Sequence, residues 1–261
     1  MYGDLLSALD DTVRSMVSGK DVAVAFSGGL DSGVIAVLCK RYARSVKLYT
    51  VGTDGSYDVR ESEEVSCILG LEWHHIRMDE DSLIAGLENM ISVTGTVDPI
   101  VLSFEVPLMY VLERADADIV LTGQGADEVF LGYSKYLGLS DDDLIRQRSE
   151  DMDKLHAITR VHESRMADHH GRTLLCPFLD ERVVSAVSNI PLDELRPVGE
   201  SRKMPLRHVS ELLGHSVIAS KPKKAAQYGS GAMNMIKRIA RERDVTVGAL
   251  IIELRDGVGR E

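Results

Sequence analysis

Ser27, Gly28, Gly29, Leu30, Asp31 and Ser32 put two hydroxyls, two adjacent glycines and one carboxylate into a single turn. Glycines let the backbone approach a phosphate closely and take positive φ. The N–H groups at a helix start point at that phosphate, helped by the helix dipole. Ser27 and Ser32 add hydroxyl donors. Asp31 would repel a phosphate unless a divalent cation bridges the two, so Asp31 reads as a Mg²⁺ ligand. A second turn, Gly123-Gln-Gly-Ala-Asp-Glu128, brings Asp127 to another helix start. Either turn alone would suit a simple strand-to-helix reversal. Together, Asp31 and Asp127 give two carboxylates able to hold one Mg²⁺ on a polyphosphate.

The flanking pattern supplies the elements that would position these groups. Residues 22–26 are apolar and rich in valine, as in a short buried strand, and a helical apolar pattern begins at Val34. No Gly-Lys-Ser/Thr follows the glycines, so the turn is not a Walker A loop, and Gly-x-Gly-x-x-Gly is absent too. An amphipathic helix is expected over 4–18. Strands are expected at 46–51, 73–76 and 118–122. Helices are expected at 58–69, with a capping-box-like start at Asp58, at 80–94 and at 103–115. Strands alternating with helices predict an α/β fold, a doubly wound parallel sheet whose ligands bind beyond the carboxyl ends of the strands. Both glycine turns fall there. From about residue 135 the strand signals stop. The expected organisation is a sheet domain over 1–134 and a helical region over 135–261, packed on it and completing the site.

Composition narrows the class. No apolar run approaches the roughly 20 residues that span a bilayer, and the start of the chain shows no basic-then-apolar leader. A net charge of −11 argues against a broad nucleic-acid surface. Lys221, Lys223 and Lys224 form the densest basic cluster. Cys39, Cys67 and Cys176 are too widely spaced for a disulfide framework or a paired metal site. Cys39 and Cys67 read as buried thiols, and a reducing cytoplasm fits. His74-His75 and His169-His170 read as structural, and Trp73, the only tryptophan, reads as core.

Ser-Gly-Gly-x-Asp-Ser resembles the PP-loop of the N-type ATP pyrophosphatases, which holds the β,γ-pyrophosphate while ATP is cut at its α-phosphate. More of the chain, from about 20 to 240, resembles the synthetase domain of the asparagine synthetases. The stretch Gly123-Gln-Gly-Ala-Asp-Glu-Val-Phe-Leu-Gly-Tyr133 is similar to that family's Gly-Glu-Gly-Ala-Asp-Glu-Leu-Phe-Gly-Gly-Tyr. Cys176-Pro-Phe-Leu-Asp180, Lys203 with Leu206-Arg207, and the basic loop from Lys221 to Gly231 follow in the family's order. The resemblance implies ATP and Mg²⁺ as cofactors. Ala25, Val51, Thr122 and Gly123 would line the adenosine site. Ser27, Gly28, Gly29 and Ser32 would hold pyrophosphate, and Asp31 and Asp127 would carry the metal. Lys223 matches the family's active-site lysine, which would stabilise developing negative charge. Gln124, Asp180 and Lys203 would face the second substrate.

The departures from the family set further expectations. The chain begins Met1-Tyr2 almost directly before the loop, which implies no glutaminase in cis and ammonia from solution or from a separate amine or glutaminase partner. The family's glutamate is Gln124 here, the Arg of its Thr-Thr-x-Arg is Ser103, and one glycine is Leu131. The ATP half of the site is kept and the acid half is altered. The expectation is an ATP-dependent amide-forming ligase that adenylates aspartate or another small acid. Two alternatives stay open: another PP-loop enzyme, such as a tRNA-modifying one, or a non-catalytic ATP- or AMP-binding regulatory subunit. A homo-oligomer is left open too.

Overall fold

The computed structural model describes residues 2–199, 201–221 and 226–258. Five strands form one sheet: β1 (Asp21–Ala25), β2 (Ser45–Gly52), β3 (Glu72–Arg77), β4 (Ile119–Leu121) and β5 (Thr173–Leu175). Their order is β3-β2-β1-β4-β5, and every pairing is parallel. The chain steps outward from β1 to β2 and β3, then returns to lay β4 on the other side of β1. The order therefore reverses between β1 and β4, and a crevice opens beyond their carboxyl ends.

Fifteen α-helices flank this sheet among the described residues. The first five are α1 (Tyr2–Val17), α2 (Leu30–Tyr42), α3 (Tyr57–Leu69), α4 (Glu80–Thr94) and α5 (Pro99–Arg114). Then come α6 (Ala126–Val129) and α7 (Asp141–Lys154), whose end runs through a π-helical turn into α8 (Arg160–His169). The remainder are α9 (Glu181–Ser188), α10 (Leu192–Leu195), α11 (Met204–Leu212), α12 (Ser216–Ser220), α13 (Ala226–Gly229), α14 (Ala232–Glu242) and α15 (Val247–Gly257).

The period-2 alternation of β1 assigns the layers. Val22 and Val24 point into a core shared with α1, α2, α9 and α11. Ala23 points to the opposite face, into a core made with α4, α5, α8, α14 and α15. Both faces of the sheet are covered, as a parallel sheet requires.

Several sequence expectations are corrected by the structure. The strand signals do not stop at 135: Thr173, Leu174 and Leu175 pair with Ile119, Val120 and Leu121 as a fifth strand. Three residues are too few to show a periodic pattern. Helix α5 begins at Pro99 rather than at 103, because Asp98 accepts from the Ile100 and Val101 N–H groups and Pro99 takes the first turn. Helix α3 begins at Tyr57 behind Ser56, and Asp58 lies in its first turn, not at its cap. Cys67 is exposed, unlike the buried Cys39 and Cys176. Trp73 is half-buried at the margin of the core and donates its indole N–H to Thr50 Oγ1 at 2.9 Å. No single described helix is long and apolar enough to cross a membrane.

Candidate active site

A cavity of about 270 Å³ occupies the crevice between β1 and β4. Ala25, Ser27, Gly29, Asp31 and Ser32 line it from the β1–α2 turn, Val51 from β2, and Thr122, Gly123, Gln124 and Asp127 from the β4–α6 turn. The residues expected to contact ATP thus converge on one site, Gly28 excepted.

Hydrogen bonds fix the shape of the β1–α2 turn. The Phe26 N–H donates to the Tyr49 carbonyl at 2.8 Å, and Thr50 Oγ1 donates to the Phe26 carbonyl at 2.6 Å, so β2 anchors the loop root. The Ser27 N–H donates to Ser32 Oγ at 3.2 Å, and the two hydroxyls lie 3.3 Å apart. Gly28 faces away from the cavity. Its φ is +71°, and a Cβ there would sit 2.5 Å from the backbone of Glu61 and Ser62. Its role is to seat the loop against α3. Gly29 caps α2 through no side-chain bond, which leaves the first N–H groups of that helix to the cavity. Across the crevice, a Cβ on Gly123 would lie 2.9 Å from the Asp31 Cβ, so the two turns pack directly on each other.

Asp31 and Asp127 meet at Lys203. Its Nζ lies 2.6 Å from Asp31 Oδ2 and 2.8 Å from Asp127 Oδ1. Lys203 lines the cavity at its carboxylate pair. Asp180 lies outside the cavity: it caps α9 at the Arg182 N–H, pairs with the Arg182 guanidinium and accepts from Thr12 of α1. The expectation of a substrate ligand there is corrected to a structural cap. Lys223 falls outside the described residues. Its neighbour in the basic loop, Lys221, lines the cavity and bonds Glu61 and Glu64 at 2.6 and 3.3 Å. Arg207 spends its guanidinium on the Arg202, Ala219 and Lys221 carbonyls, which fixes the start of that loop.

The residues suit a Mg²⁺ ion. Asp31 Oδ1 is buried and has no hydrogen-bond partner, and carboxylate oxygen is the hard donor Mg²⁺ prefers. No group of three or more His, Cys, Asp or Glu able to hold a metal occurs among the described residues.

The family's departures take physical form here. Leu131, standing for a glycine, adopts φ +54°, a left-handed backbone that costs an L residue about 1–2 kcal/mol. Its fully buried side chain offsets that cost. Ser103 is buried, donates to the Ile100 carbonyl at 2.7 Å and does not reach the cavity.

Among the cavity residues missed in the sequence are two buried carboxylates, Glu105 from α5 and Glu163 from α8, each 2% exposed. Glu105 interrupts an apolar helix, a signal that could have found it; Glu163 sits in a polar helix and offered none. Glu163 pairs with Arg160, and Glu105 shares a hydrogen bond of 3.1 Å with His162 Nδ1. Burial, with Glu163 alongside, pushes the Glu105 carboxyl from its ordinary 4.5 up to about 9. The folded protein therefore holds this proton where the unfolded chain has released it. The stability from this group is full below the ordinary carboxylate range and is lost as pH rises toward 9. Glu105→Gln, which mimics the protonated form, is expected to melt higher than the parent at about pH 8, by about 2–4 kcal/mol. Its stability should also decline less as pH rises from about 6 to 9. Thermal melts across that range check this, and parallel pH profiles for the two proteins would refute it.

A parallel α/β sheet with a glycine turn at its switch point, faced by paired carboxylates, defines an α/β fold of the PP-loop type. The Asparagine synthase family model matches residues 4–156 and 138–246, and the chain belongs to that family. It is 31% identical to a putative glutamine-hydrolysing asparagine synthetase of Methanocaldococcus jannaschii, over 90% of this chain and 50% of that protein. It is 26% identical to asparagine synthetase B of Escherichia coli, over 92% of this chain and 47% of that protein. The chain thus spans about half the length of the curated relatives it matches. Among solved structures, NMN synthetase from Francisella tularensis aligns with a TM-score of 0.46 and 16% identity, over 100% of this chain and 86% of that one. That likeness is too slight to argue from.

Proposed function

We propose that this chain is an AMP-forming ligase that adenylates a small carboxylic acid and then forms an amide. The carrying observation is the convergence of the β1–α2 turn, the second glycine turn and the Asp31–Asp127 pair on one cavity. In this reading Ala25, Val51, Thr122 and Gly123 hold adenosine. Ser27, Gly29, Ser32 and the free N–H groups of α2 hold the pyrophosphate portion, and Gly28 keeps the loop in place. The acid's carboxylate attacks the α-phosphorus, forming an acyl–phosphate bond as pyrophosphate leaves. An amine, ammonia in the simplest case, then attacks the acyl carbon, loses a proton and displaces AMP. A bound Mg²⁺, held by Asp31 and Asp127, would neutralise polyphosphate charge. Lys223 is the proposed further charge stabiliser. Most of the rate comes from holding the reactants in line and from preset donors.

Gln124 and Ser103 replace charged residues of the family, which widens the range of acids to be assayed. The test is carboxylate-dependent ATP–pyrophosphate exchange over a panel of small acids that includes aspartate. Exchange with one acid supports the reading and names the substrate. ATP binding without exchange for any acid would sink it and favour a nucleotide-binding subunit.

A further inference from the structure

Lys203 holds an unusual place. It is 2% exposed, adopts φ +58° and stands just before Met204 and Pro205 open α11. A lysine in the left-handed region is strained unless its surroundings hold it there. The surroundings do so. Its ammonium is gripped by Asp31 from the start of α2 and by Asp127 from α6. Its stem runs so close to Gly132 that a Cβ there would overlap both Lys203 Cε and Asp127 Oδ1. Three separate parts of the chain thus fix one ammonium between the two carboxylates.

A divalent ion on those carboxylates would need their oxygens at about 2.1 Å. The ammonium already uses one oxygen of each at 2.6 and 2.8 Å. Two cations cannot share that position without strong repulsion. The lysine cannot withdraw alone either, because a buried ammonium stripped of its partners is strongly disfavoured. A polyphosphate changes this balance. Its oxygens offer Lys203 new anionic partners and free the carboxylates for a metal.

We infer that Lys203 is a positioning residue that fills the metal site until nucleotide arrives, so that the divalent ion enters with the polyphosphate and not before it. This rests on the metal assignment made under the proposed function. It makes the nucleotide-free enzyme blind to free metal and keeps the two carboxylates correctly spaced in its absence.

The test is titration of the nucleotide-free protein with Mn²⁺, counting free ion by electron paramagnetic resonance. The parent is expected to show no binding in the micromolar range. Lys203→Met and Lys203→Gln are each expected to bind Mn²⁺ at least tenfold more tightly than the parent, with a melting temperature raised by Mn²⁺ alone. Micromolar binding by the nucleotide-free parent, or folded variants that bind no more tightly than it, overturns the inference. If neither variant folds, the parent decides. Mn²⁺ retained only with a non-hydrolysable ATP analogue, beyond what the analogue binds by itself, supports the inference. No protein-dependent Mn²⁺ binding with the analogue overturns it. None of these measurements needs turnover, so they stand apart from a failure of the exchange assay.

Discussion

Asp31→Asn is expected to lower carboxylate-dependent ATP–pyrophosphate exchange by roughly 10²–10³-fold, the usual loss when one preset electrostatic group is removed from a reacting centre. Asn keeps the volume, the polarity and the place in the first turn of α2. It removes the charge that faces Lys203 at 2.6 Å and the oxygen, Oδ1, that has no hydrogen-bond partner. Because Asp127 still pairs with Lys203, the stability loss should stay near 1–3 kcal/mol, about that of one buried polar contact. Exchange assays alongside denaturant melts separate the two effects. Exchange at the parent's rate would remove Asp31 from the proposed metal site.

Gly28→Ala is expected to be the most damaging small change in the loop. The backbone is left-handed at φ +71°, which costs an alanine about 1–2 kcal/mol. The new methyl would also meet the Glu61 and Ser62 backbone, which cannot rotate away, adding about 1–3 kcal/mol of overpacking. The loop would relieve this by leaving α3, so ATP binding should weaken more than tenfold as stability falls. Gly29→Ala provides the contrast. Its φ is −78°, and its Cβ would meet nothing closer than the Ser27 hydroxyl at 3.4 Å. That variant should remain within about 1 kcal/mol of the parent. Urea melts and equilibrium nucleotide binding on both variants check the pair. Equal behaviour would mean that Gly28 is not the loop's seat on α3.

The side of the cavity built by the two glycine turns was legible in the sequence because its signals are local. A strand, two glycines and a carboxylate within a dozen residues fix a turn whatever the remainder of the chain does. The alternation of strand and helix predicted the doubly wound sheet for the same reason. Long-range features were not legible. Strand β5 is defined by its partner β4 and not by a pattern of its own. Asp180 sits in a family-like motif, yet its carboxylate is committed to Arg182 and Thr12. Glu105 and Glu163 reach the same cavity from helices far apart in sequence, and no spacing rule connects them. Lys203 could be placed in a motif, but its grip on both carboxylates depends on how α2, α6 and the start of α11 pack.

The placement of α1 carries a consequence for how the protein is made. This helix, made before every other element of the sheet domain, packs on α9 and α11 as well as on its neighbour α2. Ser15 of α1 accepts from the Arg182 side chain, and Thr12 donates to Asp180. Apart from α2, those partners lie more than 160 residues further along the chain. The apolar stripe of Leu5, Leu9, Val13 and Val17 must therefore wait, partly uncovered, until α9 and α11 have been made. A nascent chain of this design has a long window of vulnerability to aggregation. The final collapse, late and dominated by contacts distant in sequence, sets the pace of its folding.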